Sequence, residues 1–433
     1  MVHMRWLVLP LVSISFALSA GETGTRSEVA QYGVVWRFAG EALCGRFVTG
    51  DWWVVGPVTV TGVTPVPEAG KHGSVVNPPA GSKQGYDQRI SGFDAPLRAS
   101  FPLALKPGQS LVSTASVEKI GVKTPDTVPR QYCRGPLRTA VVLTCLAKPP
   151  PADAFRPAYV GAWREMFTVS QLRRDALPRL RPPAKVPGVT SYERVLERIW
   201  LDHMRGWSNR KMHPLENMPD YGREITNIVS DVALLVLLDD PRKERETLLL
   251  RYVQKGIDYY GVAESNNQLW IPDGGHNSGR KWPILFAGLM LGHEGMMQVK
   301  ATFQEDHQTH HGKGFNGQKA LWSITPHNPN KRHEEVDPAT WSTYGDKRGN
   351  TGQKAESYRK LNGPTWVGQA LAARLTGMVA NWGHSPYFDY VDRWCRETQN
   401  AKGFAAAVWR LHREQADAVG GAVQQKLATK KGQ

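Results

Sequence analysis

The chain has 433 residues, with 54 Lys and Arg against 39 Asp and Glu, a formal net charge of +15. That length supports two or three domains and a substantial core, which excludes a mini-protein held together by staples. Its four cysteines include no CxxC unit and no His/Cys spacing of the structural zinc kind.

The first segment, Met1–Ala20, carries His3 and Arg5, then an apolar run from Trp6 to Leu18, then Ser19-Ala20. This predicts a secretory signal peptide cleaved near Ala20, since the run is short for a bilayer span. The expected product is secreted or periplasmic, with no membrane insertion. Residues 21–148 read as an all-β, sandwich-like domain. Arg46-Phe-Val-Thr, Trp52-Trp-Val-Val, Val58–Thr64, Leu111–Val117 and Thr139–Cys145 are β-branched or aromatic runs punctuated by Gly and Pro. Cys133 and Cys145 flank an apparent hairpin and are candidates for pairing. Lys148-Pro-Pro-Pro opens a proline-rich connector over 149–190.

From Ser191 the hydrophobic period becomes helical. Helices are expected over Tyr192–Arg205, Ile225–Leu238, Glu244–Tyr260, Trp282–Leu291, Trp366–Met378, Pro386–Arg396 and Gly403–Ala418. Trp282–Leu291 is apolar on every face and must be interior, whereas others are amphipathic. That alternation predicts an inner ring of helices wrapped by an outer one across 191–425, with a basic tail at 426–433. The stretch from His293 to Glu356 shows little periodicity and reads as a long loop.

The positive charge implies an anionic partner. Export and the absence of a nucleic-acid-binding motif point away from nucleic acid and toward an acidic polysaccharide. Fifteen tryptophans supply flat faces that stack on sugar rings. The oligomeric state has no signature in the sequence.

Three polar loops lead onto apolar helices. Asp273–Lys281 holds His276, Asn277, Arg280 and Lys281 ahead of the helix at Trp282. Pro219–Asp231 holds Tyr221 and Arg223, with Glu224, Asn227 and Asp231 on one helical face. Glu356–Pro364 presents Tyr358 and Arg359 ahead of Trp366. A fourth cluster, Gln304–His311, contains Glu305, Asp306, His307 and Gln308 as groups able to hold hydroxyls or a proton. His307 and His311 share a helical face, but no third ligand has metal spacing, so neither a metal nor another cofactor is expected.

β-Elimination on a uronic acid polymer needs a cation or amide at the carboxylate, a base for the C5 proton and an acid for the leaving oxygen. Candidates for the first are Asn227, Arg223, Arg280 and Arg359. Candidates for base or acid are His276, Tyr221, Tyr358 and His307. Asn277, Lys281, Gln308 and Trp366 accompany them as substrate contacts. Hydrolysis by two carboxylates is the other reading, with Asp273 and Glu305 or Asp306, and a non-catalytic polysaccharide-binding envelope protein is a third. On Tyr221-Gly-Arg-Glu with Asn227, Gly274-Gly-His276-Asn with Arg280, and Tyr358-Arg359, the region 190–400 resembles the (α/α)-toroid polysaccharide lyases of the alginate, glucuronan and heparinase type. The resemblance implies a multidomain α+β protein with a toroid-like catalytic domain. It also implies Asn227 and Arg280 at the carboxylate, with His276 and Tyr358 as base and acid.

Overall fold

The computed structural model describes residues 23–239, 245–272, 274–325, 332–345, 349, 351–398 and 402–431. The predicted signal peptide and Asp273 lie outside the described residues. The N-terminal part is one eight-stranded sheet: β1 (Gly24–Gln31), β2 (Val34–Arg46), β3 (Trp52–Val55), β4 (Val58–Thr64), β5 (Ser74–Val76), β6 (Leu103–Leu105), β7 (Ser110–Ser116) and β8 (Leu137–Leu146). The order is β5-β7-β8-β3-β2-β4-β6, with β1 also on β2, and β3–β8 is a parallel pair. The long β2 pairs β4 through its first half and β3 through its last residues, so the sheet bends into a half-barrel.

A two-sheet sandwich is expected from the sequence, and the structure differs there for a packing reason. Along β8, Val141, Leu143 and Cys145 enter a core with Trp36, Trp52 and Leu111. The alternate residues Ala140 and Val142 enter a second core, shared with Phe155, Leu201 and Val253 of the following region. Period-two alternation feeds both faces, but the helical region covers the second face, where a sandwich would place another sheet. The proline-rich stretch belongs to that core, with Phe155, Ala158 and Tyr159 buried. All four cysteines are free. Cys133 sits in a loop, whereas Cys145 lies in the sheet beside Leu105, so the candidate pair is not formed.

The helical region contains α1 (Thr190–Leu196), α2 (Gly222–Leu235), α3 (Arg245–Ser265), α4 (Lys281–Leu291), α5 (Glu294–Met297), α6 (Gln304–Gln308), α7 (Gly352–Leu375), α8 (Val379–Trp382), α9 (Ser385–Glu397), α10 (Phe404–His412) and α11 (Ala416–Lys431). Every residue of α4 from Lys281 to Met290 is buried, as its uniform apolarity requires. Several expectations shift. The helix expected over Tyr192–Arg205 ends at Leu196, and the one over Gly403–Ala418 is divided between α10 and α11, which continues into the basic tail as far as Lys431. Glu356–Pro364 is expected as a polar loop ahead of the helix at Trp366, yet α7 begins at Gly352 and runs through Pro364. Within the apparent long loop, α5, α6 and a small hairpin of β9 (Thr309–His311) and β10 (Ala320–Trp322) form. Among the described residues no helix is long and apolar enough to cross a membrane.

α2 carries Glu224, Asn227 and Asp231 along one side. The Tyr192 hydroxyl donates to Asp231 at 2.8 Å, and burial pushes that carboxyl up to about 6. A carboxyl raised in the folded state adds stability while neutral and loses it as pH rises through about 6. Asp231→Asn is therefore expected to stabilise the protein by about 2 kcal/mol at neutral pH. The gain should vanish below the ordinary carboxylate range, where Asp231 is neutral both folded and unfolded. Urea unfolding at both pH values checks this; an equal gain at both would contradict it.

Candidate functional site

The site grows from the loop between Gly274 and Arg280, whose backbone is pinned from two sides. The Gly274 carbonyl accepts from Gln304 Nε2 at 3.1 Å, Gln308 Nε2 at 2.8 Å and Asn362 Nδ2 at 2.9 Å. The Gly279 amide donates to Glu305, the Asn277 amide donates to Gln304 at 3.0 Å, and Trp366 Nε1 donates to Ser278 Oγ at 2.6 Å. Two amides and a carboxylate of the short α6, with Asn362 and the Trp366 indole of the long α7, thus hold a glycine-rich turn rigidly, as a positioned side chain requires.

Neighbouring elements press closely on this loop. A Cβ on Gly222, at the start of α2, would lie 2.1 Å from the His276 carbonyl oxygen. Gly274 has φ +56°, the left-handed region, and a Cβ there would meet the Tyr358 ring at 2.7 Å. A Cβ on Gly275 would lie 2.8 Å from Asn362 Oδ1 and 3.1 Å from the Tyr221 hydroxyl. Tyr221, His276 and Tyr358, which lie on three separate segments, are therefore gathered around one turn. Tyr358 and Asn362 are one helical turn apart on α7 and face the same loop.

The His276 side chain is fully enclosed. Its ring lies 5.2 Å from Trp207 edge-on, 6.3 Å from His213 and 6.4 Å from Tyr221, centroid to centroid. Neither ring nitrogen has a hydrogen-bond partner among the described residues. Burial, reinforced by the charges of Arg280 and His213, holds the imidazole well below its ordinary pKa, so it is a neutral base. Buried polar atoms are nearly always paired, and orphaned ones mark strain or a missing ligand. Asn362 Oδ1 and both carboxyl oxygens of Asp220 are also without hydrogen bonds. Asp220 has Arg134 at 3.5 Å, but burial still pushes its carboxyl up.

No family model, curated protein or solved structure matches this chain.

The other sequence candidates occupy different positions. Arg280, implied at a substrate carboxylate, is fully buried and donates to Asp202 at 2.7 Å and to the carbonyls of His276 and Ser278. Burial alone would raise the Asp202 carboxyl, but Arg280, with His213, holds it far below the usual range. That makes Arg280 an internal anchor of the loop, because a buried guanidinium needs its carboxylate. Asn277 is likewise internal, donating to the Ile271 carbonyl at 2.7 Å. Lys281 is held by Asp306 and the Trp382 carbonyl, and Trp366 is fully buried core. Gln308 supports the loop carbonyl. Arg359 pairs with Glu356 and Glu397, on another side of α7 from Tyr358. Asn227 and His307 are half-buried on α2 and α6, and His307 is not among the three ring neighbours of His276. Arg223 bonds Glu224 and the Tyr132 hydroxyl.

Sequence reasoning missed Trp207, His213, Asp220 and Asn362. Asn362 becomes legible as the i+4 partner of Tyr358 only once Gly352–Leu375 is one continuous helix. The others come from irregular chain, where no periodicity flags them. Glu305 and Asp306, candidates for a hydrolytic pair, are engaged by the loop and by Lys281 with Trp382 respectively. Asp273, their proposed counterpart, lies outside the described residues. Among the described residues no group of three His, Cys, Asp or Glu side chains has metal-binding geometry.

Proposed function

We propose that this protein is an exported polysaccharide lyase acting on a uronic-acid-containing chain by β-elimination at His276. The observation that carries the reading is an enclosed, neutral imidazole, walled by Trp207 and Tyr221, with both nitrogens unpartnered among the described residues. A neutral imidazole is the form that accepts a proton, and an unpartnered one loses no internal hydrogen bond when it does.

In this reading His276 takes the C5 proton of a bound uronate. The C5–H electrons form the C4–C5 double bond as the C4–O bond breaks, and the leaving oxygen receives a proton from the hydroxyl of Tyr221 or Tyr358. The proton on His276 then returns to the tyrosinate through solvent. Arg210, a cation near His276, takes the carboxylate-neutralising role, since the Arg280 guanidinium is already taken by Asp202 and two loop carbonyls. Asn362 Oδ1 accepts from a sugar hydroxyl. The reading also takes the helical region as an (α/α) toroid-like catalytic domain and residues 1–20 as its export signal.

A hydrolase is favoured by a separate observation: Asp220, with its raised carboxyl, lies near Glu224, whose Oε2 also lacks a partner. A carboxyl whose pKa burial raises, beside a second carboxylate, is the arrangement hydrolysis uses. One assay separates the readings. Incubation with alginate, glucuronan, ulvan and glycosaminoglycans is expected to yield ultraviolet absorbance from an unsaturated uronate. Reducing ends without that absorbance would favour hydrolysis, and neither signal would leave a binding protein.

A further inference from the structure

Two exposed aromatic rings stand on the segments that surround His276, each covered by an arginine. Trp207 is 46% exposed, with the Arg210 guanidinium 3.4 Å from its ring centroid. Tyr132 is 45% exposed, with Arg134 at 4.6 Å from its ring. Arg223 Nη2 donates to the Tyr132 hydroxyl at 3.2 Å, tying this ring to the helix that begins beside His276. Tyr221 lies between the two platforms, 6.2 Å from Trp207 and two residues before Arg223.

Tyr132 belongs to the β-rich part of the chain, and its outward position is enforced. Arg130 and Cys133 flank it at φ +62° and +54°, conformations that L side chains avoid. Gln131 and Cys133 point inward and are buried, the former donating to the Met218 carbonyl. Just beyond, a Cβ on Gly135 would lie 1.9 Å from the Lys211 carbonyl oxygen, so this loop is seated against the segment that carries Trp207 and Arg210. Strained backbone that holds an aromatic ring in solvent gives nothing to the core. Such strain collects where a side chain must be presented.

We propose that Tyr132, Arg134 and Arg223 form a further sugar-binding subsite, supplied largely by the β-rich domain, that grips a uronate unit of the same chain away from the reacting bond. The ring offers a flat face, Arg223 fixes its hydroxyl while spending its own fork on Glu224, and Arg134 over the ring supplies the cation that complements a carboxylate. The proposal rests on the reading that the ligand is an acidic polysaccharide, and it implies tighter binding of polymer than of short oligomers.

The test is affinity electrophoresis of the full-length mature protein in gels containing polyuronate, which reads binding without turnover. The wild-type protein is expected to be retarded. Tyr132→Ala and Tyr132→Glu are expected to weaken binding about tenfold or more, whereas Tyr132→Phe, keeping the flat face, stays close to wild type. The exposed position predicts unchanged thermal unfolding for all three. Wild-type-like retardation of Tyr132→Ala and Tyr132→Glu would overturn the subsite, as would equal retardation by a neutral polysaccharide or tighter binding to single-stranded DNA. Retardation lost on Tyr132→Ala with no unsaturated product from the wild type would uphold the subsite and sink the lyase reading.

Discussion

Under the proposed β-elimination, His276→Ala is expected to lower turnover of polyuronate by about 10²- to 10⁴-fold, the usual contribution of a positioned base, with little change in unfolding free energy. The second half of that expectation separates function from structure. A core histidine that bonds its neighbours would leave orphaned partners when removed and destabilise the fold. His276 has no partners to orphan among the described residues, so its deletion trades lost ring packing against relief of two unsatisfied buried nitrogens. A large drop in stability with retained turnover would assign it to the core.

The pH dependence follows from the same enclosure. The folded imidazole lies well below the ordinary value of 6.5, so the basic form persists into acid, and kcat/KM should hold its plateau through pH 6.5. The linked stability has a definite sign. A histidine depressed in the folded state contributes fully above its unfolded value, and that stability is lost as pH falls through 6.5 toward the folded pKa. An acidic limb centred at or above 6.5 would mean a solvated imidazole or a different base.

Arg156→Ala is expected to cost about 3–5 kcal/mol of stability, the usual consequence of breaking a buried ion pair from one side. Arg156 is 1% exposed. Its Nε donates to Asp51, after β2, at 2.8 Å, and its Nη2 to Asp258, on α3, at 2.7 Å. It joins the sheet to the helical region through two carboxylates that are themselves buried. Removing the cation leaves both anions in a poorly solvated site, which costs more than the pairing contributes. Replacing all three with apolar residues of similar size should recover much of the loss. Denaturant unfolding measures both; a cost under about 1 kcal/mol for Arg156→Ala would show that water reaches the carboxylates.

Parts of this protein are legible in the sequence because they depend on local pattern. The uniform apolarity of Trp282–Leu291 requires an interior helix wherever the chain places it, and β8 shows its two-faced burial as an unbroken run of Val, Leu and Thr. Tyr221, His276 and Tyr358 stand out as polar groups beside apolar helices. Their neighbours do not. Arg280 looks as available as Arg210 in the sequence, yet one is consumed by Asp202 and the other lies over an exposed tryptophan. Tyr132 and Trp207 meet the site from segments without periodicity.

Composition and period therefore determined the β-then-helical order of the chain, its basic character and which helix is buried, since each follows from the solvent preference of residues near in sequence. The tertiary structure alone decided that one bent sheet would lean on helices in place of a second sheet, and which arginines stay at the surface. It also decided that His276 would sit enclosed, with its nitrogens unpaired among the described residues. Those outcomes depend on contacts between residues far apart in the chain, where desolvation and pairing are settled by whichever group arrives opposite.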